Sequence, residues 1–437
     1  MRVRALIATG CGTAIACVCA IGLFQIEQSV GGLWAIAAVL IAGALCAALA
    51  RVFSRLSTVV PSGAGLLAYL SRGLGRRTGL AIAIPYLLLT LFLVGVEATI
   101  VGTLLARVVP GLPAAAGALL FLVGTWACCR AGLQVGFKAQ AVATVALVAG
   151  LSGLALFSIF HAGARGELAA RLLTAAPSPG TFVAAIGTGV FLFMGFELVT
   201  SQAEHATPKA ISRGLGGTVA VLALFYGLLS AGFSCLAHAP IDPASRLVPQ
   251  LAIAEQTGSP AALWVMVALC LLASFTSFNG ALLALSRFAY ALASQGALPR
   301  AFARLDPKTL VPREVLALLL ALAIGFTAIV MVGGALEPAI LAAAVAASLL
   351  YAAAAWVREG TGFAEAGRVA LPGRALAVGL VAIGVGVIVD AGPARLGTVL
   401  LLVLAFVLAA VLASRVGQRS RASAAPHSPL RPARSTG

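Results

Sequence analysis

The stretch Gly187-Thr-Gly-Val-Phe-Leu-Phe-Met-Gly-Phe-Glu197 lies inside a long apolar run and closes on a carboxylate. Glycines at 187, 189 and 195 weaken a helix there, because glycine loses the most backbone freedom on ordering. In a bilayer, unwound backbone is tolerated only where protein covers it or where it lines a polar cavity. Two readings stay open at this level. The helix is broken in mid-membrane and offers free amides and carbonyls to a solute, or the glycines let neighbouring helices pack closely.

Working outward, the rest of the chain sets the solvent. Of 437 residues, 61% are hydrophobic and 10% charged, with a mean hydropathy of +1.07; a soluble domain carries about a quarter charged residues. Apolar runs recur at 5–24, 33–53, 80–106, 114–129, 139–160, 181–199, 216–236, 261–285, 315–332, 340–356, 369–389 and 397–412. Most are near twenty residues, long enough to cross about 30 Å of hydrocarbon, and their unbroken Ala- and Leu-rich character predicts helices rather than alternating barrel strands. Residues 1–24, with a basic start and an apolar stretch, are expected to be a retained first span rather than a cleaved leader.

The formal charge of +16 does not indicate a nucleic-acid partner, since the cations lie in short loops between the spans. With twelve spans, all but five of the 29 basic residues fall on the side that holds both termini. Positive loops are retained in the cytoplasm, so both termini are expected there, in the inner membrane. The Ser-, Ala-, Pro- and Arg-rich tail, 414–437, is expected to be disordered and to meet anionic headgroups.

Chemistry-bearing residues are few. Cys11, Cys17, Cys19, Cys46, Cys128, Cys129, Cys235 and Cys270 sit mostly in apolar segments without metal-ligand spacing and read as small packing residues. His161, His205 and His238 fall at span ends or in loops and His427 in the tail, so no catalytic set is visible at depth and neither a metal nor a cofactor is expected. Glu97 in span three and Glu197 in span six are the acids placed well within spans; at that depth a carboxylate faces a cavity or a partner. Ser274, Thr276, Ser277 and Asn279 beside Gly280 form a polar patch that suits a cation or solute, or serves helix carbonyls.

At these residues a resemblance enters. Phe193-Met-Gly-Phe-Glu197 followed by Ala203-Glu-His-Ala-Thr-Pro208 is similar to the sixth-helix signature of the amino acid/polyamine/organocation (APC) transporters. Ser277-Phe-Asn-Gly280, Ser286-Arg-Phe-Ala-Tyr-Ala291, Gly296-Ala-Leu-Pro299 and Phe302-Ala-Arg304 resemble the family's eighth helix and the loop after it. Pro61-Ser-Gly-Ala-Gly65 with Tyr69 and Gly75 resembles the segment between helices two and three.

The resemblance implies an all-α membrane protein of twelve helices, a LeuT-like five-plus-five inverted repeat (1–160 against 181–356) with broken helices one and six, two accessory helices in 369–412, and the tail. It implies secondary transport of an amino acid or amine, with Na+ or H+ as candidate coupling ion. A passive channel and, less so, an intramembrane enzyme are the alternatives; catalytic residues are not expected. Breaks are expected near Gly12 to Ala16 and near Phe191 to Gly195. Carried over singly, Thr13, Ala14 and Ala16 fall at the first break, Phe191 at an aromatic covering the substrate, and Phe193, Met194 and Gly195 at the unwound backbone that receives an amino group. Glu97 and Glu197 complete the set, and Ser274, Thr276 and Ser277 form the cation or polar patch. The first helix carries Gly10-Cys-Gly-Thr-Ala-Ile-Ala16 where the family has Gly-x-Gly followed by Ile-Phe. Arg55 replaces the glutamate usual before Pro-x-x-Gly-Gly, and Leu147 stands where some proton-coupled members carry lysine.

Overall fold

Backbone amides and carbonyls that cannot reach water must bond within their own segment, so apolar runs of this length fold as helices. The computed structural model describes residues 3–63, 65–131, 133–203, 206–236, 260–294, 298–309, 311–333, 336–357 and 373–392, with 397, 404 and 408; side chains are not described at 133–137 and 336–338. Within these residues the order is α1 (Val3–Ala14), α2 (Cys17–Ser29), α3 (Gly32–Val59), α4 (Leu66–Leu74), α5 (Arg76–Val108), α6 (Ala114–Arg130), α7 (Leu133–Ala164), α8 (Leu168–Leu172) and α9 (Pro179–Leu192). A 3-10 turn (Phe196–Gln202) leads to α10 (Pro208–Leu236), α11 (Pro260–Ser294), α12 (Arg313–Gly333), α13 (Leu336–Val357) and α14 (Gly373–Asp390).

Among the described residues nine helical stretches are long and apolar enough to cross a membrane, and α1 with α2 makes a tenth as a bent pair. Ala114–Arg130, with 17 residues, sits at the short end of the spanning range. These eleven follow the apolar runs; of the run at 397–412 three positions (397, 404 and 408) are described, and the tail lies outside the described residues. Outward faces are apolar, as a lipid solvent requires: Val332 is 90% exposed and Phe160 73%.

The first span runs past its apolar core. α2 continues to Ser29 and carries Glu27, so Glu97 and Glu197 are not the only acids within spans. Glu27 is tolerated because α10 covers it, with the Ser234 hydroxyl donating to Oε2 at 2.7 Å and the Ser230 hydroxyl to Oε1.

Packing repeats itself between the halves. α3 and α10 form the longest seam; α1 packs on α10 as α9 packs on α3, α1 on α7 as α9 on α13, and α5 on α12 as α11 on α6. Exchanging the first five spans for the next five leaves this pattern unchanged. α14 stands outside it, against α13 and α9. Phe53, Phe196 and Tyr351 form an aromatic cluster with ring centroids 5.8 to 6.1 Å apart, which anchors the broken sixth span to α3 and α13.

Candidate functional site

The first break follows from small residues. α1 stops at Ala14, Ala16 is extended (φ −123°, ψ 160°), and α2 leaves from Cys17 at an angle of 64°. At Gly12 a methyl group would overlap the side-chain ends of Thr144 and Gln140 of α7, so a larger residue here would push both side chains aside. A new helix start leaves its first amides without helical partners. Here Val18 N–H donates to Glu97 Oε1 at 2.7 Å, and the other oxygen, Oε2, accepts from Ser274 Oγ at 2.6 Å. On the facing end, the Ala14 carbonyl accepts from the Tyr226 hydroxyl at 2.9 Å and from Cys19 Sγ at 3.2 Å.

The second break has the same chemistry. α9 ends at Leu192, and Gly195 takes φ +110°, a backbone conformation side chains disfavour. Gly195 N–H donates to Glu197, 3.0 Å from Oε2 and 3.2 Å from Oε1. Tyr351 O–H donates to Oε2 at 2.7 Å, and Tyr86 O–H donates to Oε1. The two breaks touch: a Cβ on Gly195 would lie 3.3 Å from Ala14 N. Because Tyr351 holds one oxygen of a buried carboxylate, Tyr351→Phe is expected to lower stability by about 1–2 kcal/mol. Unfolding in detergent reads this, and an unchanged midpoint would mean that the bond contributes nothing.

Between the breaks lies a cavity of about 50 Å³, room for a few waters. Thr13, Ala14, Ala16, Val18 and Cys19 line it from the first span, and Phe191, Met194, Gly195 and Leu198 from the sixth. α5 contributes Tyr86, Thr90 and Glu97, and α11 contributes Ser277 and Ala281. Among the described residues, no lysine or arginine lines it.

Of the residues expected from sequence, Thr13, Ala14, Ala16, Glu97, Phe191, Met194, Gly195 and Ser277 border this cavity. Four others lie behind it. Phe193 is turned away against Tyr226, with ring centroids 5.8 Å apart. Glu197 is buried among its tyrosines, and Ser274 reaches the cavity only through Glu97. Thr276 turns its hydroxyl onto its own helix, while its carbonyl accepts from Gln140 Nε2 at 2.7 Å. Gln140 in turn accepts from Asn279 Nδ2 at 2.8 Å, so the polar patch of α11 is largely bonded within the protein. Tyr86, Thr90, Cys19, Tyr226, Tyr351 and Gln140 were missed. Pro85, one residue before Tyr86, is the one local signal that could have marked that part of α5.

The sequence model described as amino acid permease matches residues 6–359. Amino-acid permease RocC of Bacillus subtilis (strain 168) is 29% identical over 304 residues, 65% of this chain and 63% of RocC. The D-serine/D-alanine/glycine transporter of Escherichia coli (strain K12) is 30% identical over 159 residues, 35% of this chain and 31% of that one. The matches thus cover less than two thirds of these relatives' own length. Among solved structures, a substrate-bound, outward-open Na+-coupled sialic acid symporter matches with a TM-score of 0.54 at 13% identity, over 88% of this chain and 89% of that one. The Eremococcus coleocola manganese transporter, in complex with an aromatic bis-isothiourea compound, gives 0.60 at 13% identity, over 96% and 94%. At that identity the likeness is one of fold: all-α and LeuT-like, with the first and sixth spans broken.

Proposed function

The chain belongs to the amino acid permease family, and from that premise we propose that it is a secondary active transporter, a permease or exchanger, moving amino acids or related amines by alternating access. The observation that carries this reading is how the two breaks use their amides. A half-helix N-terminus is the natural receiver for a substrate carboxylate. Here Val18 N–H is held by Glu97 and Gly195 N–H by Glu197, and among the described residues no cation lines the cavity. The cavity therefore favours the positive end of a solute. An amine without an α-carboxylate fits it directly, whereas an amino acid has to displace Glu97 from Val18 to be held at both ends.

The test is exchange in proteoliposomes, comparing amino acids with their decarboxylated amines. The amines are expected to compete at least as well as the parent amino acids. Exchange restricted to carboxylate-bearing solutes would sink the assignment of charge, and flux that neither saturates nor exchanges would favour a passive channel.

Phe191 is assigned to cover the bound solute, where its ring face adds cation–π attraction of about 1 kcal/mol, or about 2 when desolvated. Phe191→Ala is expected to lower exchange per folded molecule roughly tenfold, with Phe191→Trp keeping most of it. Normal specific exchange in a less stable alanine variant would reduce Phe191 to a packing residue.

The repeat is assigned to 1–160 and 181–356, supported by the exchangeable packing pattern, with 369–412 accessory and 414–437 a basic tail. Both termini are assigned to the cytoplasm, supported by the one-sided distribution of lysine and arginine. The internal bonding of Thr276, Gln140 and Asn279 favours exchange or H+ coupling over Na+ held at the α11 patch.

A further inference from the structure

At the ends of their shared seam, α3 and α10 part into a cleft of about 720 Å³, far from the central cavity and lined by none of its residues. α3 presents Arg51 and Arg55 one turn apart, and α10 presents Lys209 and Arg213 at the same spacing. Residues four apart share a helix face, so the four cations converge from two sides on one space. Ser54, Thr58 and Ser212 also line the cleft, and among the described residues no acidic side chain does. Among the described residues, none of the four cationic side chains is hydrogen-bonded or ion-paired. α10 also begins here, at Pro208, and adds the positive end of its dipole.

We propose that this cleft binds the phosphate headgroup of an anionic phospholipid in the leaflet on the N-terminal side. Depth distinguishes a lipid from a soluble anion. Counting from Leu33, about 30 Å of hydrocarbon is spanned by some twenty residues, which brings Arg51 and Arg55 to the headgroup level. Ala47, Ala50 and Gly216 also line the cleft, small and apolar. Farther along the same two helices, Leu40 (45% exposed), Ile41 (41%) and Leu224 (74%) face outward, a continuous apolar track for acyl chains below a cationic seat. Cations needed only for membrane orientation have to lie on one face of the protein, and that role does not require two helices to aim four of them into a common cleft.

The test is native mass spectrometry of the full chain in detergent, titrated with phosphatidylglycerol. Wild type is expected to retain a phosphatidylglycerol adduct that phosphatidylcholine does not replace and that millimolar inorganic phosphate does not displace. At roughly fivefold per cation, Lys209→Gln with Arg213→Gln should weaken retention about thirtyfold, while Arg213→Lys alone should leave it near wild type. The control pair Arg300→Gln with Lys308→Gln removes the same charge elsewhere and should change nothing. Equal loss in the control pair would mean bulk surface charge and overturn the site. Displacement by inorganic phosphate would make it a soluble-anion site and overturn the lipid. If the double variant unfolds early, failure of Arg213→Lys to retain the lipid also overturns the proposal.

Discussion

Glu97→Gln is expected to reduce amine exchange about a hundredfold while leaving the protein folded. Glutamine keeps the shape and one acceptor oxygen for Val18 N–H, but cannot offer a bound amine the carboxylate that borders the cavity. A hydrogen bond to a charged group contributes about 1.5–3 kcal/mol, which covers that factor if a bound amine uses it. Glu97→Ala separates the two jobs of the carboxylate. It leaves Val18 N–H and Ser274 O–H without the acceptor they now share, at a cost of about 1–3 kcal/mol each. It also exposes the α2 N-terminus to an incoming anion. The alanine variant is therefore expected to shift preference from amines toward amino acids, and added acetate or formate is expected to raise its thermal stability. If Glu97→Gln exchanges amines at wild-type rate, Glu97 is a helix cap alone and the cavity's preference for a positive group has another source.

The second large effect is expected at Gly195. Its φ of +110° lies where a side chain costs about 1–3 kcal/mol, and a Cβ there would stand 3.3 Å from both Ala14 N and the Thr13 carbonyl carbon. Both atoms are backbone of the other break, so relief requires α1 and the sixth span to move apart. The Gly195–Glu197 bonds and the cavity walls move with them. Gly195→Ala is expected to lower stability by about 2 kcal/mol and to cut exchange at least a hundredfold per folded molecule. Gly153→Ala, in α7 with nothing within 4 Å of the added carbon, should be neutral or stabilising by up to about 1 kcal/mol. Wild-type exchange by Gly195→Ala would show that the close contact between the breaks is dispensable.

Much of this architecture is legible in the sequence, for local reasons. An apolar run of about twenty residues must be a helix in lipid whatever its neighbours are, and the described spans follow the runs. Glycines and small residues at Gly10 to Ala16 and Gly187 to Gly195 weaken helices locally, and the breaks fall at Ile15–Ala16 and Phe193–Gly195. A carboxylate at depth must be covered, and Glu97 is 2% exposed.

What only the tertiary structure decided is which groups meet. Glu97 finds a backbone amide 79 residues away and a hydroxyl 177 residues away; Glu197 joins Tyr86 and Tyr351 from α5 and α13. Phe191 borders the cavity while Phe193, two residues on, packs against Tyr226. A helix that is apolar all round does not say which face it buries, and lipid gives its faces no hydrophobic contrast to read. Its rotation, and the 64° turn between α1 and α2, are fixed by contacts with other spans, so the length and composition of each span follow from the sequence while the walls of the cavity follow from the packing.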